Sequence, residues 1–209
     1  MAIQDGEKFN TVSHLIGGLL AACGVALLLY LAVEKHDVSR ILTCLIYGVS
    51  TVLIYVLSVL YHSAERGPQK AFFQKLDYIG IYFKIAGNYT PYMILAIRGF
   101  PGYSVLAVVW SLAAVGILVE LIFEPRGHRI VPNIIYLTMS ATVVPVLNHL
   151  FHAVPPQGFA LIMLGFLSYA VGFGFFLFDG KIKHGHGIWH MFVLGGSACQ
   201  YLCLLLYVI

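Results

Sequence analysis

His186 and His190 stand four residues apart, so on a helix their imidazoles share one face about 6 Å apart and can hold one metal ion between them. Far upstream His62 ends an apolar stretch, with Ser58 four residues earlier on the same helix face. Asp77 lies about one turn into the next apolar stretch. Three histidines plus a water make the ligand set of an open, catalytic-type zinc site. The competing reading is that histidines near the ends of apolar stretches simply hydrogen-bond at an interface. An H-x-x-x-H by itself does not separate the two.

The elements that carry these residues point to a membrane. The chain has 209 residues, of which 60% are hydrophobic and only 10% charged. Soluble domains average about 25% charged residues, so this chain cannot cover a water-facing surface. Seven stretches approach the roughly 20 apolar residues that cross a bilayer: 12–33, 41–62, 72–97, 103–123, 130–152, 159–178 and 187–209. Short turns rich in Gly, Pro and charge separate them, with no inserted soluble domain and no internal repeat. The expected fold is therefore an all-α membrane protein, a seven-transmembrane helix bundle forming one domain over 1–209. The four cysteines all fall in apolar runs and are expected as buried thiols. The basic residues are scattered, which excludes a nucleic-acid stripe. Nothing in the chain suggests a soluble protein partner. Asp5, Glu7 and Lys8 do not form the basic start of a cleaved signal, and Cys23 lies too deep in an apolar run for a lipidation site.

Orientation follows from Lys and Arg on alternate sides. One side holds eight: Lys8, Arg66, Lys70, Lys75, Arg126, Arg129, Lys181 and Lys183. The other holds Lys35, Arg40 and Arg98. The N-terminus is expected in the cytoplasm and the C-terminus outside. Span two then ends, and spans three and seven begin, on the inner side. This puts His62, Asp77, His186 and His190 at one depth near the cytoplasmic interface, an agreement that their spacing does not force.

Other polar residues in the spans read differently. His149 and His152 end span five on the outer side and are expected at that interface. Cys199 and Cys203 share a face but stand nine residues or more beyond His190, which is ~14 Å along a helix and too far for the same ion. Lys84 either pairs with Glu120 or snorkels along apolar surface. Glu7, Asn10 and His14 share a face where they cap the bundle or orient a ligand through a hydrogen bond.

Four segments resemble the bacterial haemolysin III-type proteins of the progestin and adipoQ receptor superfamily. Glu7-Lys8-Phe9-Asn10-Thr11-Val12-Ser13-His14 is similar to the opening motif E-x-x-N-x-x-[ST]-H. Ser58-Val59-Leu60-Tyr61-His62 is similar to S-x-x-x-H. Asp77 with Ile85-Ala86-Gly87-Asn88-Tyr89-Thr90-Pro91 resembles the third-span motif, and His186-Gly187-Ile188-Trp189-His190 the last-span H-x-x-x-H. The resemblance implies zinc held by His62, His186 and His190, with Asp77 and Ser58 beside it. It also implies a bacterial cytoplasmic membrane and, through related alkaline ceramidases, zinc-dependent hydrolysis of a lipid amide or ester. In that reading Asp77 takes the proton of water and Ser58 hydrogen-bonds the oxyanion or the water. Membrane lipids would be the partners.

Two other functions compete. A non-catalytic regulator of membrane homeostasis or lipid sensor would use zinc as a staple, with Asp77 as fourth ligand. A cytolytic pore fits less well, since the spans carry no polar lumen stripe. Three positions depart from the family pattern: Asn88 stands where Thr is common, Lys84 where an apolar residue is expected, and Gln200 where His is expected.

Overall fold

The computed structural model describes residues 6–123 and 129–209, and the described residues form helices joined by short turns. Asp5, and residues 124–128 with Arg126, lie outside the described residues. The elements are α1 (Lys8–Glu34), α2 (Val38–Ser63), α3 (Pro68–Pro91), α4 (Gly99–Ile122), α5 (Ile130–Ala141), α6 (Leu147–Ala153), α7 (Pro156–Leu177) and α8 (Gly185–Cys203). A wider π-helical turn, Tyr92–Ile97, extends α3, and another, Leu204–Val208, extends α8.

Six segments are long and apolar enough to cross a membrane: α1, α2, α4, α5 with α6, α7, and α8 with its extension. Their outward faces carry side chains such as Leu19, Leu20, Ile122, Leu164 and Leu167. Such a surface suits lipid, and helices are the structures that satisfy their own backbone groups there. This is a multi-pass membrane protein. Seven apolar stretches were expected, and α3 falls short of the six because it carries Lys70, Gln74, Lys75, Asp77, Lys84 and Asn88. Its polarity has a structural reason. It packs against α2, α4 and α5, and Asp77, Lys84, Asn88 and Thr90 turn into the protein.

Local sequence sets the boundaries. Asp37 caps α2, its carboxylate accepting from Ser39 N at 2.9 Å and Arg40 N at 3.3 Å. Gly67 at φ +142° followed by Pro68 opens α3. Pro91 cannot donate to the preceding turn, and the helix passes there into the π-helical turn. The fifth stretch, expected as one helix over 130–152, is broken. Helix α5 stops at Ala141, a single 3-10 turn Val144–Val146 surrounds Pro145, and α6 resumes. Pro145 removes a backbone donor in mid-span, which explains the break.

Close approach and tyrosine ties hold the bundle. A methyl on Gly116 would stand 2.1 Å from Tyr82 Cε1, so α3 and α4 touch there through a ring on a glycine. Tyr89 donates to Ser140 O at 2.8 Å, Tyr136 to Tyr78 O at 3.1 Å and Tyr92 to Gln200 O at 2.9 Å. Gln200 donates to Ile162 O at 3.2 Å and ties α8 to α7. Each tie gives a buried polar atom the partner that lipid cannot supply.

Two expectations change. Glu120 pairs with Arg129, whose guanidinium also stacks 3.4 Å from the Tyr78 ring centroid. Lys84 therefore neither pairs with Glu120 nor snorkels outward. Buried on α3, it donates to Thr51 Oγ1 at 2.9 Å and lies 4.9 Å from the Tyr47 ring centroid. Of the four cysteines, Cys44 and Cys203 are buried and Cys199 is half-buried, but Cys23 is exposed on the outer face of α1. A thiol is apolar enough to face lipid, so an apolar run does not imply burial within the protein.

Candidate metal centre

His62 sits in the last turn of α2, while His186 and His190 occupy successive turns at the start of α8. His184, at φ 60°, reverses the chain just before α8 begins. One ring nitrogen from each of His62, His186 and His190 lies within 4.8 Å of the others. The ring centroids are 5.0 Å apart for His62–His186, 5.0 Å for His62–His190 and 4.8 Å for His186–His190.

Each imidazole is held from behind. His62 Nδ1 donates to Glu7 Oε2 at 2.6 Å and His186 Nδ1 to Asp179 Oδ2 at 3.1 Å. His190 Nδ1 lies 3.4 Å from Ser13 Oγ. With Nδ1 engaged, Nε2 is the nitrogen left on every ring. His62 Nε2 is buried without a hydrogen-bond partner. Metal-binding histidines show this pattern: the outer nitrogen bonds a carboxylate or hydroxyl, which fixes the tautomer and aims the inner nitrogen. The three residues fit a metal ion by donor type, separation and the unpartnered nitrogen. Imidazoles suit zinc and also other first-row ions.

Charge around the cluster is arranged to the same end. Burial pushes the Glu7 carboxyl upward, but the hydrogen bond and charge of His62, with help from Asn10 and Lys70, outweigh it and hold Glu7 at about 2. Lys70 Nζ donates to Glu7 Oε1 at 3.0 Å and Asn10 Nδ2 to Oε2 at 3.0 Å. The hydrogen bond from His186 holds Asp179 below the usual carboxylate range.

A cavity of about 260 Å³ adjoins the histidines. Ser58, Asp77, His14, His186 and His190 line it, together with aromatic side chains of α7. Ser58 and Asp77 are both buried, and Ser58 Oγ has no hydrogen-bond partner. His14 stacks on His190 with centroids 3.6 Å apart and planes 10° from parallel. The structure thus brings Ser58, His62, Asp77, His186 and His190 to one end of the bundle. His149 and His152 lie exposed on α6, apart from the cluster.

Sequence reading had no signal for Asp179. It stands seven residues before His186 across a non-helical turn, so no periodicity links the two. Ser13 and Lys70 were missed in the same way, and the shared face of Glu7, Asn10 and His14 was the one clue to the supporting shell. Glu7→Gln keeps the shape and removes the charge behind His62. We expect metal affinity to fall about 10–100-fold, as for other outer partners, with a smaller loss for Asp179→Asn on the exposed side. Competition against a chromophoric chelator measures both, and unchanged affinity in Glu7→Gln would rule out a supporting role for this carboxylate.

Comparison with known proteins shows the family. The family described as Haemolysin-III related matches residues 4–201. The chain belongs to this family. It is 35% identical to Hemolysin-3 of Bacillus cereus over 203 residues, covering 97% of this chain and 92% of that protein. It is also 35% identical to the Hemolysin-3 homolog of Bacillus subtilis (strain 168) over 201 residues, covering 96% and 93%. A more distant relative is the human monocyte to macrophage differentiation factor, 28% identical over 200 residues, covering 92% and 80%. The resemblance read from the motifs to the haemolysin III proteins and their superfamily therefore holds. Within this haemolysin III-related chain the motif segments converge. The opening segment supplies Glu7 behind His62, Ser13 behind His190 and His14 stacked on it.

Proposed function

We propose that the chain is a seven-span, zinc-dependent hydrolase of membrane lipids, acting on an amide or ester near the cytoplasmic face of a bacterial cytoplasmic membrane. One observation carries the reading. Of three clustered histidines held from behind, His186 and His190 line a cavity of about 260 Å³ whose wall also carries buried Asp77 and Ser58.

His62, His186 and His190 would hold the ion. When bound, zinc would supply Lewis acidity, polarising an acyl carbonyl and making water acidic at neutral pH. Asp77 takes the proton from the attacking water on its carboxylate oxygen, and later gives it to the leaving nitrogen or oxygen. The new bond runs from water oxygen to acyl carbon, and the bond to the leaving group breaks. Ser58 Oγ–H, which has no other partner, donates to the carbonyl oxygen as charge gathers there. Phe166, Phe173 and Phe176 hold the acyl chain and keep water from that side of the cavity.

A zinc staple would take four protein ligands. Among the described residues no Asp, Glu, Cys or further His joins the three-nitrogen group, and this favours an open position with Asp77 behind it. In the hydrolase reading α3 is the seventh span, polar because it faces the site. The eight-to-three distribution of Lys and Arg supports an inner N-terminus. A C-terminal reporter that is active only in the cytoplasm is then expected to be silent, and a strong signal would reverse the orientation. Activity is tested with purified protein in vesicles of labelled ceramides and phospholipids. Release of fatty acid that stops on chelation is expected. No release from either lipid class, or release that ignores chelation, would overturn the reading.

A further inference from the structure

Lys84 and Asn88 occupy successive turns of α3, about two and three turns beyond Asp77, and the hydrolase reading gives them no role. Lys84 follows Asp77 by seven residues, about 10 Å farther along the helix at 1.5 Å per residue. Its side chain is 7% exposed. The ammonium has three N–H donors, of which one goes to Thr51 Oγ1. Among the described residues no carboxylate lies within ion-pair distance of it, because Glu120 is taken by Arg129. A buried charge is costly unless it is paired and its hydrogen bonds are met.

Asn88 is 9% exposed, and its buried Oδ1 has no hydrogen-bond partner. Lys84 and Asn88 both line the same cavity as the histidines. The same wall carries Ile85, Tyr89 and Phe166, with Ser140 of α5 beside Tyr89. Lys84, with one donor spent on Thr51 and its amine against the Tyr47 ring, and Asn88, whose Oδ1 is unmet, stand four residues apart and make a local polar site without an anion.

The geometry points to a second subsite in this cavity, at Lys84 and Asn88, that binds the carboxylate of a single-chain lipid acid. The carboxylate pairs with Lys84 Nζ and accepts a hydrogen bond from the Asn88 amide, which presents Nδ2 when turned over. The hydrocarbon chain lies against the phenylalanines of α7. A phospholipid headgroup does not suit this depth, since its two acyl chains would have to enter with it. The subsite needs no metal and stands independently of the hydrolase reading.

The test uses the full chain in detergent, with hexadecanoate and hexadecan-1-ol as probes, with and without a chelator. Wild type is expected to bind hexadecanoate and to melt at a higher temperature in its presence. In Lys84→Met, hexadecanoate binding falls about 30-fold and the melting shift disappears, while hexadecan-1-ol binding is unchanged. Without probe, Lys84→Met melts no lower than wild type, since the change removes an unpaired charge. Should Lys84→Met fold poorly, Lys84→Gln keeps a donor for Thr51, loses the charge and is held to the same comparison. Equal binding of hexadecanoate by wild type and variant overturns the proposal. So does a Lys84 dependence that vanishes on chelation, which would place the carboxylate at the histidines. Equal affinity of wild type for the acid and the alcohol overturns it too.

Discussion

Replacing His186 and His190 together with Ala is expected to abolish metal binding. Purified wild type should carry about one zinc per chain, as a single three-histidine site requires, and the double variant should fall to background. The effect is large because α8 supplies two of the three nitrogens, leaving His62 alone on α2. Stability should follow. An ion that binds only the folded chain stabilises it by about 4 kcal/mol when present at a thousand times its dissociation constant. Chelation should therefore lower the melting temperature of wild type toward that of the variant and leave the variant unchanged. Full zinc content in His186→Ala/His190→Ala would show that the cluster is not the site.

Asp77→Asn is expected to separate metal binding from turnover. Asp77 lies outside the three-nitrogen group, so zinc content should stay near that of wild type. Proton transfer by a positioned carboxylate is worth about 10²–10⁴-fold in rate, and fatty-acid release should fall by that factor. The amide keeps the size of the carboxylate, so the cavity wall is preserved. Ser58→Ala should cost about 10²–10³-fold, the usual loss of one oxyanion donor. Asp77→Asn that loses zinc along with activity would instead make Asp77 a ligand, and the staple would become the better account.

Most span positions were legible because apolar runs of bilayer length leave few alternatives, and α1, α2, α4 and α7 fall within a few residues of expectation. Pro145 was visible in the sequence, but proline inside a span is tolerated often enough that its break was not read. Helix α3 was read as an apolar stretch, whereas its polar side chains are buried against neighbouring helices, a fact that hydropathy along one chain cannot express. The three histidines were legible from helical spacing plus depth. Of their supports, Glu7 was signalled by the face it shares with Asn10 and His14, but Ser13 and Asp179 were not, since they reach the histidines across tertiary contacts from α1 and from the turn before α8. Lys84 was left open between pairing with Glu120 and snorkelling along apolar surface. The structure chose neither, because Arg129, nine residues from Glu120 in sequence, takes that carboxylate.

The histidine cluster also bears on how the protein is made. His62 is on α2 and His186 and His190 are on α8, so every helix from α3 to α7 is synthesised between the first nitrogen and the second. Contacts so distant along the chain close late, after loop entropy has been met by earlier packing. During synthesis α2 therefore enters the membrane with His62 unpaired, and Glu7 on the preceding segment is already there to hold its ring. Capture of a metal ion by all three nitrogens would then await α8. A chain truncated before residue 185 could present no more than one of the three nitrogens, so loading with metal would be a sign that synthesis has passed the start of α8.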